Sequence, residues 1–168
     1  GITYKKREIK IPITFKDESE RSKLIGKYGG EFSQINKKWN TSNSATIFNR
    51  ITNDPTEWEM YHTLYRENRK TWKVNPLKEV IREMKNMPEC VIGDFGCGEA
   101  ELSHEIGEQS KVLSFDMVAI NDSVIVCNVA DVIPIAPNTL DVAIFSLSLM
   151  TKDWEKMLSS ARKVMKAT

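Results

Sequence analysis

Up to residue 87 the apolar positions fall mostly at steps of three and four, and from residue 88 they come in short continuous runs. The first pattern predicts amphipathic helices and the second predicts buried strands. One exception opens the chain: Ile9, Ile11, Ile13 and Phe15 alternate, which predicts a half-buried strand, and Pro12 places it at an edge. Asp17 then suits the cap of a helix to about residue 27, halted by Gly29 and Gly30. A helix over 31–39 turns Phe32, Ile35 and Trp39 to one side, and one over 44–51 is expected to turn Ala45, Phe48 and Ile51 inward. Asp54 followed by Pro55 is a strong helix start, and Asn75 followed by Pro76 repeats it. The first of these two helices is predicted to reach Trp72, with Trp58, Tyr61, His62, Tyr65, Arg69 and Trp72 along one face. The second runs to about Met87 on Leu77, Val80, Ile81 and Met84, and Pro88 ends it.

Beyond that proline the runs at 90–92, 111–115, 124–127 and 140–147 read as strands separated by crossovers, which implies a parallel, doubly wound α/β sheet. Pro134 and Pro137 rule out a regular helix between the third and fourth strands. A last helix over 153–166 is expected to face Trp154, Met157, Leu158, Ala161, Val164 and Met165 inward. The pivot is the stretch ECVIGDFGCGEA over 89–100, a strand, a glycine turn and the start of a short helix to Ile106. Glycines let backbone come close to a ligand, and a helix N-terminus offers free N–H groups. The chain thus divides into an N-terminal extension (1–30), a helical lid (31–87) and a Rossmann-like core (88–168).

Composition changes this picture little. The chain has 168 residues, 40% hydrophobic and 28% charged, enough for one globular domain with a real core. A net charge of +1 provides no overall basic field. The basic clusters lie before residue 75, at Lys5-Lys6-Arg7, Lys37-Lys38 and Arg66 to Lys73; they read either as solvated helix faces or as a contact surface for phosphates. Cys90, Cys97 and Cys127 show no metal-ligand spacing, which argues against zinc, and an odd, buried set suggests reduced thiols in an intracellular setting. No run approaches the ~18 apolar residues of a membrane helix, so no membrane partner is expected. The chain opens on Gly1 without a signal pattern and is expected to be a piece of a longer protein or a processed one.

Ligands of open α/β sheets sit at the carboxyl ends of the strands. Here those ends carry Asp94 with Gly96 and Gly98, then Asp116, then Asn128 and Val129, then Ser146. A carboxylate closing the second strand can accept from both hydroxyls of a ribose, and Asp116 stands near the ~20-residue spacing of a dinucleotide fold. A polar side chain closing the third strand suits an adenine amino group. The ligand is therefore expected to contain adenosine. The dinucleotide pattern wants a third glycine where Glu101 stands. Asp94 and Glu99 around the turn suit a cation better than a diphosphate. Both points favour S-adenosylmethionine, with its sulfonium and ammonium, over a nicotinamide dinucleotide. His62 reads either as a satisfied core histidine or as a titratable group over the site.

On these residues the chain resembles class I S-adenosylmethionine-dependent methyltransferases. DFGCGEA, SFDMVAIND, VIVCNVADVIP, LDVAIFSLSLM and WEKMLSSARKVMK look like their successive motifs. EFSQINKKW and IFNRITNDPTEWEMYHTLYRENRKTWKVNPLKEVI narrow the likeness to the ribosomal RNA-processing, nucleomethylin-type family, over roughly residues 30–166. The wording of VIGDFGCGEA and VAIFSLSLM is closest to bacterial relatives that carry this domain behind a helicase. The resemblance implies cofactor contacts at His62, Gly96, Asp116, Asn128, Val129 and Ser146. It implies N1-methylation of an adenine in large-subunit ribosomal RNA for eukaryotic members. It implies a cytoplasmic setting for a bacterial chain and a nucleolar one for a eukaryotic chain. Two departures count. Asn128 stands where the family usually has Asp, and the chain stops where the family continues with fifth, sixth and seventh strands. Only the first four parallel strands are then expected, with the outer edge of the fourth open to a partner or to self-association as a homo-oligomer. These departures keep a second reading open, a weakly catalytic or non-catalytic cofactor-binding scaffold attached to a helicase. No catalytic residue is identified; Trp58, Tyr61 or Tyr65 would suit stacking of a target base.

Overall fold

The computed structural model describes residue 19 and residues 32–167; the strand expected over 9–15 and, apart from residue 19, the helix expected to about residue 27 lie outside the described residues. Helix α1 occupies 32–40. Then follow α2 (Ser44–Asn53), α3 (Thr56–Arg69), α4 (Pro76–Lys85), β1 (Val91–Phe95), α5 (Glu101–Ile106), β2 (Lys111–Asp116), β3 (Val124–Val126), β4 (Val142–Ile144) and α6 (Trp154–Val164).

Both Asp/Asn-plus-proline signals work as read. Asp54 Oδ1 accepts from the Thr56 amide at 3.1 Å and from its hydroxyl at 2.6 Å. Asn75 Oδ1 accepts from the Leu77 amide at 3.1 Å, with Pro76 in the first turn. α3 stops at Arg69, short of the expected Trp72, because the amides of Lys70, Thr71 and Trp72 bond three residues back and tighten the end. Trp72 thereby leaves the aromatic stripe and stands 37% exposed.

The four strands are parallel in the order β3-β2-β1-β4. Side chains alternate across the sheet, as the pleat requires. On one face Phe115, Phe95 and Phe145 stack across three neighbouring chain segments, with centroids 4.9 and 5.0 Å apart, and α6 covers them with Met157, Ala161 and Val164. On the other face Ile92 and Ile144 meet Ile81 of α4 with Leu102 and Ile106 of α5. α4 is thus a flank of the sheet. Two helix faces differ from expectation. In α2 the inward residues are Ser44, Ile47 and Ile51 while Ala45 is exposed, because the Asp153 carboxylate takes both the amide and the hydroxyl of Ser44 at 2.8 Å. In α6 the stripe is Met157, Ser160, Ala161 and Val164, fixed by Ser160 donating to the Asp131 carbonyl at 2.8 Å, and Trp154 and Leu158 face outward.

Helices α1 to α3 build a second core of Ile35, Trp39, Ile47, Ile51, Trp58 and Tyr61, shared with Val118 from the loop after β2. Glu57 ties the three together, accepting from Lys38 at 2.6 Å, Trp39 at 2.7 Å and Arg50 at 2.7 Å. This layer reaches the carboxyl end of the sheet. At the outer side of β4, Leu140 bridges Met165: the Leu140 amide donates to Val164 and its carbonyl accepts from Lys166. The beginning of the edge expected to be open is therefore covered by the chain after α6.

Candidate functional site

Two clefts, each partly open to solvent, lie between α3 and the strand ends. Trp58, Asp116, Met117, Val129 and Phe145 line the first; Asp94, Gly98, Glu101, Ser146, Tyr65 and Arg69 line the second. Tyr61, His62, Gly96 and Leu147 border both, so the clefts meet at the glycine turn.

The turn needs its glycines. Gly96 (φ +76°) and Gly98 (φ +52°) are left-handed. A Cβ on Gly96 would stand 2.3 Å from Cβ of Ser148, whose hydroxyl is held by donating to the Phe95 carbonyl at 2.6 Å. A Cβ on Gly98 would stand 2.7 Å from Cε1 of His62. The turn is therefore pressed between the loop after β4 and helix α3. Leu147 in that loop is also left-handed (φ +54°), a costly conformation for its side chain, and is 47% exposed between the clefts.

Asp116 is the best-bonded group here. Its Oδ2 accepts from the Gly98 amide at 2.8 Å; its Oδ1 accepts from Trp58 Nε1 at 2.9 Å and the Met117 amide at 2.7 Å. Burial nonetheless pushes its pKa above the ordinary carboxylate value against these donors. Trp58 in turn packs on the His62 ring, centroids 4.0 Å apart. Burial first, and then Arg66 and Arg69, push the imidazole down to about 3, so His62 is neutral at physiological pH. Arg66 pairs with Glu99 and Arg69 with Glu101 (2.5 Å for the latter), fastening α3 to the start of α5. Asp94 is only 3% exposed, and no donor among the described residues reaches it. Burial, and then the Asp116 charge, push its carboxyl up to about 7.

Of the sequence candidates, His62, Asp94, Gly96, Gly98, Asp116, Val129 and Ser146 all line these clefts. Asn128 lines neither: its Oδ1 accepts from the Ala130 amide at 3.1 Å and its Nδ2 donates to the Ser44 hydroxyl at 3.3 Å. Its side chain knots the lid to the sheet instead. The Ser146 hydroxyl is buried with no partner among the described residues. Sequence reasoning missed that Trp58 holds Asp116; the signal was its place one turn before His62. It also missed Ser148, the second serine after β4. Among the described residues no three His, Cys, Asp or Glu groups could hold a metal ion, and no helix is long and apolar enough to cross a membrane.

A parallel β3-β2-β1-β4 sheet, a left-handed glycine turn after β1 and a carboxylate closing β2 together define the Rossmann-like fold of a class I methyltransferase. The chain belongs to the family described as hypothetical methyltransferase, which it matches over residues 19–168. It is similar to ribosomal RNA-processing protein 8 of Drosophila melanogaster, 37% identical over 139 residues that cover 82% of this chain and 38% of that protein. The protein of that name from Caenorhabditis elegans is 35% identical over 138 residues, covering 82% and 40%. The 25S rRNA (adenine(645)-N(1))-methyltransferase of Schizosaccharomyces pombe is 33% identical over 149 residues, covering 82% and 46%. The chain spans less than half the length of each of these relatives.

Proposed function

We propose that this chain forms the cofactor-binding part of an S-adenosylmethionine-dependent methyltransferase acting on N1 of an adenine in ribosomal RNA. One observation carries the reading: two clefts joined at Gly96 and His62, each with its own buried carboxylate. Asp116 suits the hydroxyls of a ribose in the first cleft, where Val129, Met117 and Phe145 offer an apolar slot for an adenine. Asp94, buried and without a donor, suits an ammonium in the second, beside the unpartnered Ser146 hydroxyl. A diphosphate would meet two buried acids and is disfavoured. The residues present therefore fit an adenosyl amino acid.

S-adenosylmethionine supplies a methyl group already activated by its sulfonium. The chain's own contribution is alignment and exclusion of water by the α3 layer. Neutral His62 adds no positive charge between the clefts. Adenine N1 carries a free lone pair at neutral pH, so no residue has to remove a proton. The names of the relatives, ribosomal RNA-processing proteins and an rRNA adenine-N1 methyltransferase, support this reading over a helicase-attached scaffold, and they support a nucleolar setting for a eukaryotic chain. Asn128 bonds to Ser44 and Ala130 and lines neither cleft, so the reading rests on Asp94 and Asp116 and not on it.

Transfer of tritiated methyl from S-adenosylmethionine to large-subunit ribosomal RNA by the full native protein tests the proposal. Label is expected on adenine, and Asp116→Asn is expected to lower the rate at least about tenfold, the scale of one lost charge-assisted hydrogen bond. No label, or equal label from the variant, would overturn it.

A further inference from the structure

Trp72 is the one aromatic of the Trp58-to-Trp72 stretch that the packing does not absorb. It sits just past the end of α3, 37% exposed, and lines neither cleft itself. Its ring meets Tyr65 edge to face, centroids 5.7 Å apart at 83°. Tyr65 lines that cleft, stacks toward Tyr61 deeper in, and carries the Arg69 guanidinium at 5.7 Å. An aromatic path therefore runs from the joined clefts through Tyr65 to Trp72, whose ring packs on Tyr65 and is in part exposed. Two lysines follow Trp72 in the chain, one before α4 and one in its first turn. Lys73 and Lys78 are exposed and have no ion pair or hydrogen bond with the described residues. Of the acids that line this cleft, Glu99 and Glu101 are matched by Arg66 and Arg69, and Asp94 is buried, 3% exposed. A polyanion is thus not repelled there.

We propose that Trp72, with Lys73 and Lys78, is a landing for single-stranded RNA. A base flanking the target stacks on Trp72, and the two ammonium groups meet the neighbouring phosphates. An open aromatic face beside unpaired cations suits a base and its phosphates, and suits an acidic or apolar peptide less well. The inference rests on the methyltransferase reading for which nucleotide enters the cleft, but the landing itself is a binding claim.

The experiment measures affinity of the full native protein for an adenine-containing single-stranded oligoribonucleotide across salt concentrations, with S-adenosylmethionine affinity measured in parallel by calorimetry. Trp72→Ala is expected to weaken RNA binding about tenfold, the scale of one lost base–aromatic stack, and Trp72→Phe to restore most of it. Lys73→Gln with Lys78→Gln is expected to reduce the slope of log affinity against log salt by about 1.4, at ~0.7 per phosphate contact on a single strand. S-adenosylmethionine affinity is expected to stay unchanged in all three. RNA binding and salt slope equal to wild type would overturn the landing, as they would if that face instead seats a protein. The lysine pair, being surface residues, decides the matter even if Trp72→Ala fails to fold. Loss of cofactor binding by the wild-type protein would instead sink the methyltransferase reading and leave the landing to stand or fall on the RNA data.

Discussion

Asp94 and Asp116 close neighbouring strands, and both are buried, yet their situations differ. Asp116 is surrounded by donors, whereas Asp94 has none and titrates near 7, raised by burial and then by Asp116. An aspartate in an unfolded chain titrates near ~3.9. The sign follows from the raised value. Asp94's contribution to stability without ligand is full below about pH 4 and is lost as the pH rises through about 7. A cationic ligand needs the ionised form, so its affinity runs the other way. S-adenosylmethionine is expected to bind about fivefold more weakly at pH 6 than at pH 7, below the pH at which its own α-ammonium loses a proton; calorimetry across that range checks this, and Asp94→Asn should flatten the profile. Asp94, Gly96, Gly98 and Asp116 were legible in the sequence because strand ends and a glycine turn are local features that the sheet rule converts into a site. Trp58 was not, because its partner is 58 residues away and only the packing of α3 brings them together. Asn128 was placed correctly at a strand end, but nothing local shows that its amide would be taken by Ser44, 84 residues earlier.

Among the helices, α3 decides how the site is roofed. Its inner face holds Trp58 against Asp116 and His62 against Gly98, and its outer turn is pinned by Arg66 and Arg69 to Glu99 and Glu101. Glu57 then joins α3 to α1 and α2. Burial pushes the Glu57 carboxyl up, but the donors Lys38, Trp39 and Arg50 together outweigh this and hold it below its ordinary value. Its stabilisation is therefore present above about pH 4.5 and is lost as the pH falls through the lowered folded value. Glu57→Ala leaves the Trp39 and Arg50 donors without their acceptor, and is expected to cost about 2 kcal/mol, the range for hydrogen bonds to a charged group. Denaturant unfolding at pH 7 measures it, and the difference from wild type should shrink in acid. The starts of α3 and α4 were legible from Asp54-Pro55 and Asn75-Pro76, and α1, α2 and α6 from apolar positions at helical spacing. Which face of α2 and α6 turned inward was not, because Asp153 on Ser44 and Ser160 on the Asp131 carbonyl set those rotations from across the molecule.

For the molecule as a whole, the core of helices α1 to α3 reaches the sheet through the sheet's loops. Val118, Met117 and Met150 from the sheet's loops pack with the helices α1 to α3. The parallel, doubly wound sheet was legible because strand runs alternate with crossovers, whereas the order β3-β2-β1-β4 came only from the structure. The bridge from Leu140 to Met165 was not, since three residues after a helix carry no strand pattern. Among the described residues this packing leaves a joined pair of clefts across the carboxyl ends of β1, β2 and β4, which on the proposed function takes a ligand with a nucleoside at one end and an ammonium at the other. Isothermal titration with S-adenosylmethionine, and with a nicotinamide dinucleotide in a parallel cell, measures whether it does so. Saturable one-site binding of S-adenosylmethionine is expected, with no binding of the dinucleotide and at least about tenfold weaker binding to Asp116→Asn. No heat with S-adenosylmethionine, or an affinity indifferent to Asp116, would contradict the assignment of the crevice.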